Sequence, residues 1–111
     1  MRVIIESPYK ADTDSEQRRN ILYLCACIDD CIKRKESPYA SHAILTMVLD
    51  EDDPKQRETG IFLGLEWYSV AERCVCYIDY GISDGMVKGL AEATRLGVPI
   101  EYRKILWQWN D

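Results

Sequence analysis

Residues 74–102 limit the fold more than any other part of the chain. Cys74-Val75-Cys76-Tyr77-Ile78 is a continuous apolar run of β-formers, as expected of a strand buried on both faces. Ile82-Ser83-Asp84-Gly85 follows as a glycine turn. A helical pattern then covers residues 84–96, Gly97 closes it, and residues 98–102 are extended again. Strand, turn, helix and strand in that order form a crossover unit, whose strands pair in parallel with a right-handed connection. Gly85 is read as the turn residue, using backbone angles closed to side chains with a Cβ. The helix behind it opens with unpaired N–H groups directed into a crevice, a setting suited to an anion or a sugar-phosphate.

The rest of the chain continues the alternation. Residues 3–6 read as a first strand. Asp14 caps a long helix with Gln17 in capping-box position, ending near Lys35. Ile21, Leu22, Leu24, Cys25, Ile28 and Ile32 supply the apolar stripe expected to face the core. Ser37-Pro38-Tyr39-Ala40 reads as an edge strand, and Ser41 as the cap of a helix over residues 43–49. Pro54 suits the first turn of a helix reaching about Arg73, with Ile61, Leu65, Tyr68 and Val70 or Ala71 turned inward. The expected architecture is one small three-layer α/β domain over residues 1–111, with a mostly parallel sheet. In such sheets ligands bind beyond the carboxyl ends of the strands. Here that edge comprises Ser7-Pro8-Tyr9 and residues 79–85, which include Gly81.

Composition narrows the function. The 111 residues are 47% hydrophobic and 30% charged, ordinary for a soluble globular chain. A net charge of −5, from 14 basic and 19 acidic residues, argues against a nucleic-acid polymer as partner. No apolar run is long enough for a bilayer span, and Met1-Arg2-Val3-Ile4-Ile5-Glu6 reads as a strand rather than a signal peptide. The expected location is cytoplasmic, in the protein's own cell or in a host cell. Cys25, Cys27, Cys31, Cys74 and Cys76 are odd in number and lack a CxxC pair, which disfavours a disulfide framework. They are expected to be reduced, buried small hydrophobes; a zinc site joining Cys27 and Cys31 to Cys74 and Cys76 is the weaker alternative. No metal or cofactor is expected.

Several residues are candidates for a ligand site. Tyr9 can stack on a base or cover the sheet edge. Ser83 and Asp84 can meet a ligand or simply cap their helix. Arg57 can reach the crevice or pair locally with Asp53. His42, the lone histidine, has no nucleophile arranged around it and reads as structural or superficial. Asp50-Glu51-Asp52-Asp53 lacks calcium-loop spacing and reads as a solvated helix boundary.

Val3-Ile4-Ile5-Glu6-Ser7-Pro8-Tyr9, Asn20-Ile21, Ser37-Pro38-Tyr39-Ala40-Ser41-His42, Leu49-Asp50, Pro54 with residues 57–60, Ile82-Ser83-Asp84-Gly85-Met86 and Gly97-Val98-Pro99 occur in this order. Together they resemble the nucleoside 2-deoxyribosyltransferase-like family, above all its small phage and prophage members. The resemblance implies a flavodoxin-like or Rossmann-like sheet, a nucleoside or nucleotide site at the strand ends, and homo-oligomers. It also implies, in active members, a nucleophilic glutamate on the helix after the glycine turn. That glutamate stands four residues after the turn glycine and eight before the closing one, and from Gly85 and from Gly97 both counts reach Gly89. The nucleophile is therefore expected to be missing, leaving a wider pocket with less negative charge that favours a phosphorylated ligand. Val75 stands where family members tend to carry an acidic residue.

The expected ligand-binding residues are Ser7, Pro8, Tyr9, Arg57, Gly81, Ser83, Asp84, Gly85, Met86 and Gly89. The leading functional expectation is a nucleoside- or nucleotide-binding protein without catalysis, sequestering a nucleotide-derived signal as a phage anti-defence protein. One alternative is an active N-glycosyl transferase or hydrolase using Glu92 or Asp84. Another is a protein-interaction module using Trp107 and Trp109.

Overall fold

Four short strands form an all-parallel sheet in the order β2-β1-β3-β4 in the computed structural model, which describes residues 1–109. The strands are β1 (Arg2–Glu6), β2 (Ser37–Tyr39), β3 (Arg73–Tyr77) and β4 (Ile100–Arg103). The helices are α1 (Asp14–Lys33), α2 (Ser41–Ile44), α3 (Pro54–Leu65) and α4 (Asp84–Leu96). Single 3-10 turns follow α2 at Leu45–Met47 and α3 at Glu66–Val70.

Alternation along β1 and β3 builds two cores. Val3, Ile5, Val75 and Tyr77 pack against Tyr23, Leu24, Cys27 and Cys31 of α1. Ile4 and Cys74 point to the opposite face, where Tyr68, Leu65, Leu90 and Ala93 cover them. Helical layers therefore lie on both sides of the sheet. The chain leaves β1 for β2 on one side and returns to β3 on the other, so the switch in strand order falls between β1 and β3. A crevice opens at such a point beyond the carboxyl ends of the strands.

Local signals placed the elements, with corrections of detail. Thr13, not Asp14, caps α1, its Oγ1 accepting the Glu16 N–H at 3.1 Å. The buried stripe of α1 is Asn20, Tyr23, Leu24, Cys27 and Cys31, while Ile21, Leu22, Cys25 and Ile32 are exposed. The face turned because two polar side chains find buried partners there. Asn20 Nδ2 donates to the Tyr9 carbonyl at 3.0 Å, and the Tyr23 hydroxyl donates to Asp79 at 2.6 Å. Ser41 is the first residue of α2 rather than its cap, and α2 stops at Ile44. Its hydroxyl faces α3 instead: a Cβ on Gly64 would lie 2.6 Å from Ser41 Oγ. α3 likewise ends at Leu65, and Val70 is exposed.

At the far end of the unit, Gly97 takes a left-handed conformation at φ 72° and ends α4. The Val98 N–H then bonds back to the Ala93 carbonyl, so β4 starts at Ile100. Gly85 lies within the first turn of α4, and the left-handed residue before the helix is Gly81, at φ 79°. No described helix is long and apolar enough to cross a membrane.

Candidate functional site

A cavity of about 380 Å³ occupies the crevice at the end of β1. One wall is Glu6, Ser7, Tyr9 and Lys10, from the end of β1 and the loop after it. A second is the first two turns of α4, including Ser83, Asp84, Gly85, Met86, Lys88 and Gly89. The third, from α2 and α3, supplies His42, Arg57, Gly60, Gly64 and the following Tyr68. Eight of the ten expected ligand-binding residues thus line one cavity. Pro8 is buried beside it and Gly81 lies outside the lining.

Gly89 has a local cause that corrects the expectation of a widened pocket. A Cβ at this position would collide with Glu6 Oε1 and the Tyr68 hydroxyl, and would lie 2.5 Å from Glu6 Cδ. The space beside this turn of α4 is filled by a carboxyl group arriving from β1. Glu6 is only 9% exposed, and no hydrogen bond or ion pair reaches its carboxyl among the described residues. Its oxygens stay open to the cavity. Burial without a compensating charge disfavours ionisation, and it pushes the Glu6 carboxyl up to about 8. The site therefore keeps an acidic group that is uncharged at neutral pH.

Beside it, His42 Nε2 and Ser7 Oγ are 2.9 Å apart, and Tyr9 sets its ring edge-on to the imidazole at 5.8 Å. Burial pushes His42 down to about 4, so the ring is neutral and can accept the Ser7 proton. At the start of α4, Ser83 Oγ accepts the Met86 N–H at 3.4 Å. Arg57 pairs with Glu51 at 3.2 Å rather than with Asp53, which caps α3 through the Lys55 N–H. Its Nη2 stands 3.7 Å from where a Cβ on Gly85 would be. Lys10 and Lys88 add two exposed cations at the rim.

The other expected carboxylates are engaged elsewhere. Glu92 is absent from the cavity lining and pairs with Arg95 at 2.6 Å, which holds it below its ordinary value. Asp84 lines the rim and is exposed. Asp79 accepts the Ile105 and Leu106 N–H groups at 3.1 and 2.7 Å, tying down the segment after β4. Trp107 of that segment packs on Tyr23 and Tyr80, with Trp109 stacked against it. Sequence reasoning missed Glu6, His42 and Tyr68 as cavity groups. The available signal was Glu6 itself, a charged residue ending an apolar strand, together with an unexplained glycine inside a helix.

Residues 1–103 match the model of DUF7768, a domain of unknown function. The chain belongs to the DUF7768 family. The match ends on Arg103, the last residue of β4. Among solved structures, this DUF7768 chain is similar to a 2-deoxyribosyltransferase from the psychrotolerant bacterium Bacillus psychrosaccharolyticus. The TM-score is 0.65 at 14% identity, covering 100% of this chain and 77% of that one. The likeness shows a shared Rossmann-like, flavodoxin-like fold. No curated protein sequence matches.

Proposed function

We propose that this DUF7768 protein binds a nucleoside or nucleotide in the cavity at the end of β1. The observation that carries the reading is the polarity of that cavity. Its floor holds the uncharged groups Glu6, Tyr68 and the Ser7–His42 pair, while its other walls carry the cations Lys10, Arg57 and Lys88 among the carboxylates Asp12, Asp50, Glu51 and Asp84. A base or sugar needs hydrogen-bonding groups without charge, and a phosphate needs cations and helix N–H groups. A volume of about 380 Å³ lies within the usual range of small-molecule sites. Fold similarity to a deoxyribosyltransferase points to the same ligand class by analogy.

Binding without turnover is the form of this reading we favour. Residue 89 offers no carboxylate, Glu92 lies off the cavity, and the carboxyl beside Gly89 is protonated and so a weak nucleophile. A protein of this kind holds its ligand rather than converting it, the sequestering role expected of a phage anti-defence protein. Calorimetric titration with 2′-deoxyadenosine, thymidine and their 5′-monophosphates tests binding, with chromatography of the same mixtures for released or exchanged base. Heat without new products is expected. No heat would overturn the binding reading, and base release would overturn the non-catalytic one.

A further inference from the structure

We infer that Glu6 meets the ligand as a neutral acid, donating a hydrogen bond from the cavity floor to an uncharged oxygen or nitrogen while any phosphate lies toward Lys10 and Lys88. The inference rests on the nucleotide reading of the cavity and assigns the ligand an orientation in it. A carboxyl more than nine-tenths buried, open only to the cavity and without a cation or donor on it, can be satisfied by what enters. Ionised, it would place an uncompensated charge in a desolvated pocket. Protonated, it presents one donor beside one acceptor, which suits an uncharged group and repels neither end of it.

The groups packed around Glu6 leave that state undisturbed. Cys76 stands opposite it on β3, and burial pushes the Cys76 thiol up to about 12. Cys74, two residues earlier on β3, is raised further by burial. From α2, His42 is neutral down to about 4. The 3-10 turn after α3 contributes the Tyr68 hydroxyl, and α4 contributes the Gly89 backbone. The remaining charges on the wall are Lys10 and Asp12 after β1, Asp50 and Glu51 before α3, Arg57 on α3, and Asp84 and Lys88 on α4. None of them bonds the Glu6 carboxyl, and Arg57 is held by Glu51. Between pH 7 and 9, burial makes Glu6 the floor group that titrates, about pH 8.

Calorimetric titration of 2′-deoxyadenosine 5′-monophosphate into the wild type, Glu6→Gln and Glu6→Ala is the test. If only the protonated form binds, affinity for the wild type falls about tenfold between pH 7 and pH 9. Glu6→Gln keeps a donor and an acceptor in place, so it binds with affinity that does not vary over this range. Glu6→Ala binds more weakly than the wild type at pH 7 and also loses the pH dependence. Affinity that rises with pH, or a slope that persists in Glu6→Gln, would overturn the inference. If the nucleotide gives no heat, the binding reading fails, and with it hydrogen-bond donation to a nucleotide. Carbon-13 NMR of the Glu6 carboxyl in the free protein judges the neutral acid separately. A midpoint near 8 is expected, and one in the ordinary carboxylate range would overturn it.

Discussion

Glu6 and Gly89 are one structural choice made at two positions. The glycine leaves room for the carboxyl, and the carboxyl forbids a side chain at residue 89. Gly89→Ala must therefore displace both Glu6 and Tyr68, and overpacking of this kind costs about 1–3 kcal/mol, measurable by urea unfolding. Adding Glu6→Ala removes one of the two obstructing groups, so the double variant is expected to lose less than the two single losses summed. The same pair fixes a pH effect. Burial pushes the folded Glu6 carboxyl up to about 8, from an ordinary value of 4.5. Its contribution is whole below about 4.5 and is lost as pH rises toward 8, because the unfolded chain releases the proton first. Glu6→Gln should match the wild type near pH 4.5 and exceed it in melting temperature at pH 8. Equal melting temperatures at pH 8 would contradict the assignment. The sequence exposed the oddity, a glycine inside a helix. It did not expose the cause, because the occupant comes from a strand at the other end of the chain.

At the scale of elements, position was legible and orientation was not. Asp53 before Pro54, Ser83 before α4 and Gly97 after it are local signals, and each marks an observed boundary. The phase of α1 depends on partners distant in the chain, since Tyr23 reaches Asp79 and Asn20 reaches the Tyr9 carbonyl. An apolar count favours Ile21, Leu22 and Ile32; the fold instead buries Leu24, Cys27 and Cys31 together with Asn20 and Tyr23, whose polar atoms it satisfies. Asp79 shows the same logic. Burial opposes its ionisation, but hydrogen bonds from the Tyr23 hydroxyl and the Ile105 and Leu106 N–H groups outweigh this and hold it below its ordinary value. Asp79→Asn removes the charge and turns a donor toward donors, at a cost of about 1–3 kcal/mol. The segment carrying Trp107 should loosen first, so the tryptophan emission is expected to shift red before the far-ultraviolet signal falls. Coincident transitions would show that this anchorage contributes nothing separate.

Over the whole molecule, the alternation of strands and helices made the parallel sheet legible. The crevice at its switch point followed from the rule for such sheets. The wall built by α2 and α3 was not legible, because short helices broken by 3-10 turns carry weak periodicity. Those elements also leave apolar side chains uncovered: Met47 is 82% exposed, Val48 86% and Phe62 65%. Exposed apolar surface favours association, and we propose that a second copy of the chain covers these side chains. Light scattering of the wild type should then give a multiple of 12.9 kDa. Val48→Lys and Phe62→Glu should each reduce it toward that unit mass with the circular dichroism unchanged, because neither side chain belongs to the buried core. Since α3 carries both Phe62 and the cavity residues Arg57, Gly60 and Gly64, association would also brace one wall of the site. Nucleotide affinity should fall along with the mass in these variants. A wild type already at unit mass would remove the proposed partner, and affinity that persists in a dissociated variant would show that the cavity is complete within one chain.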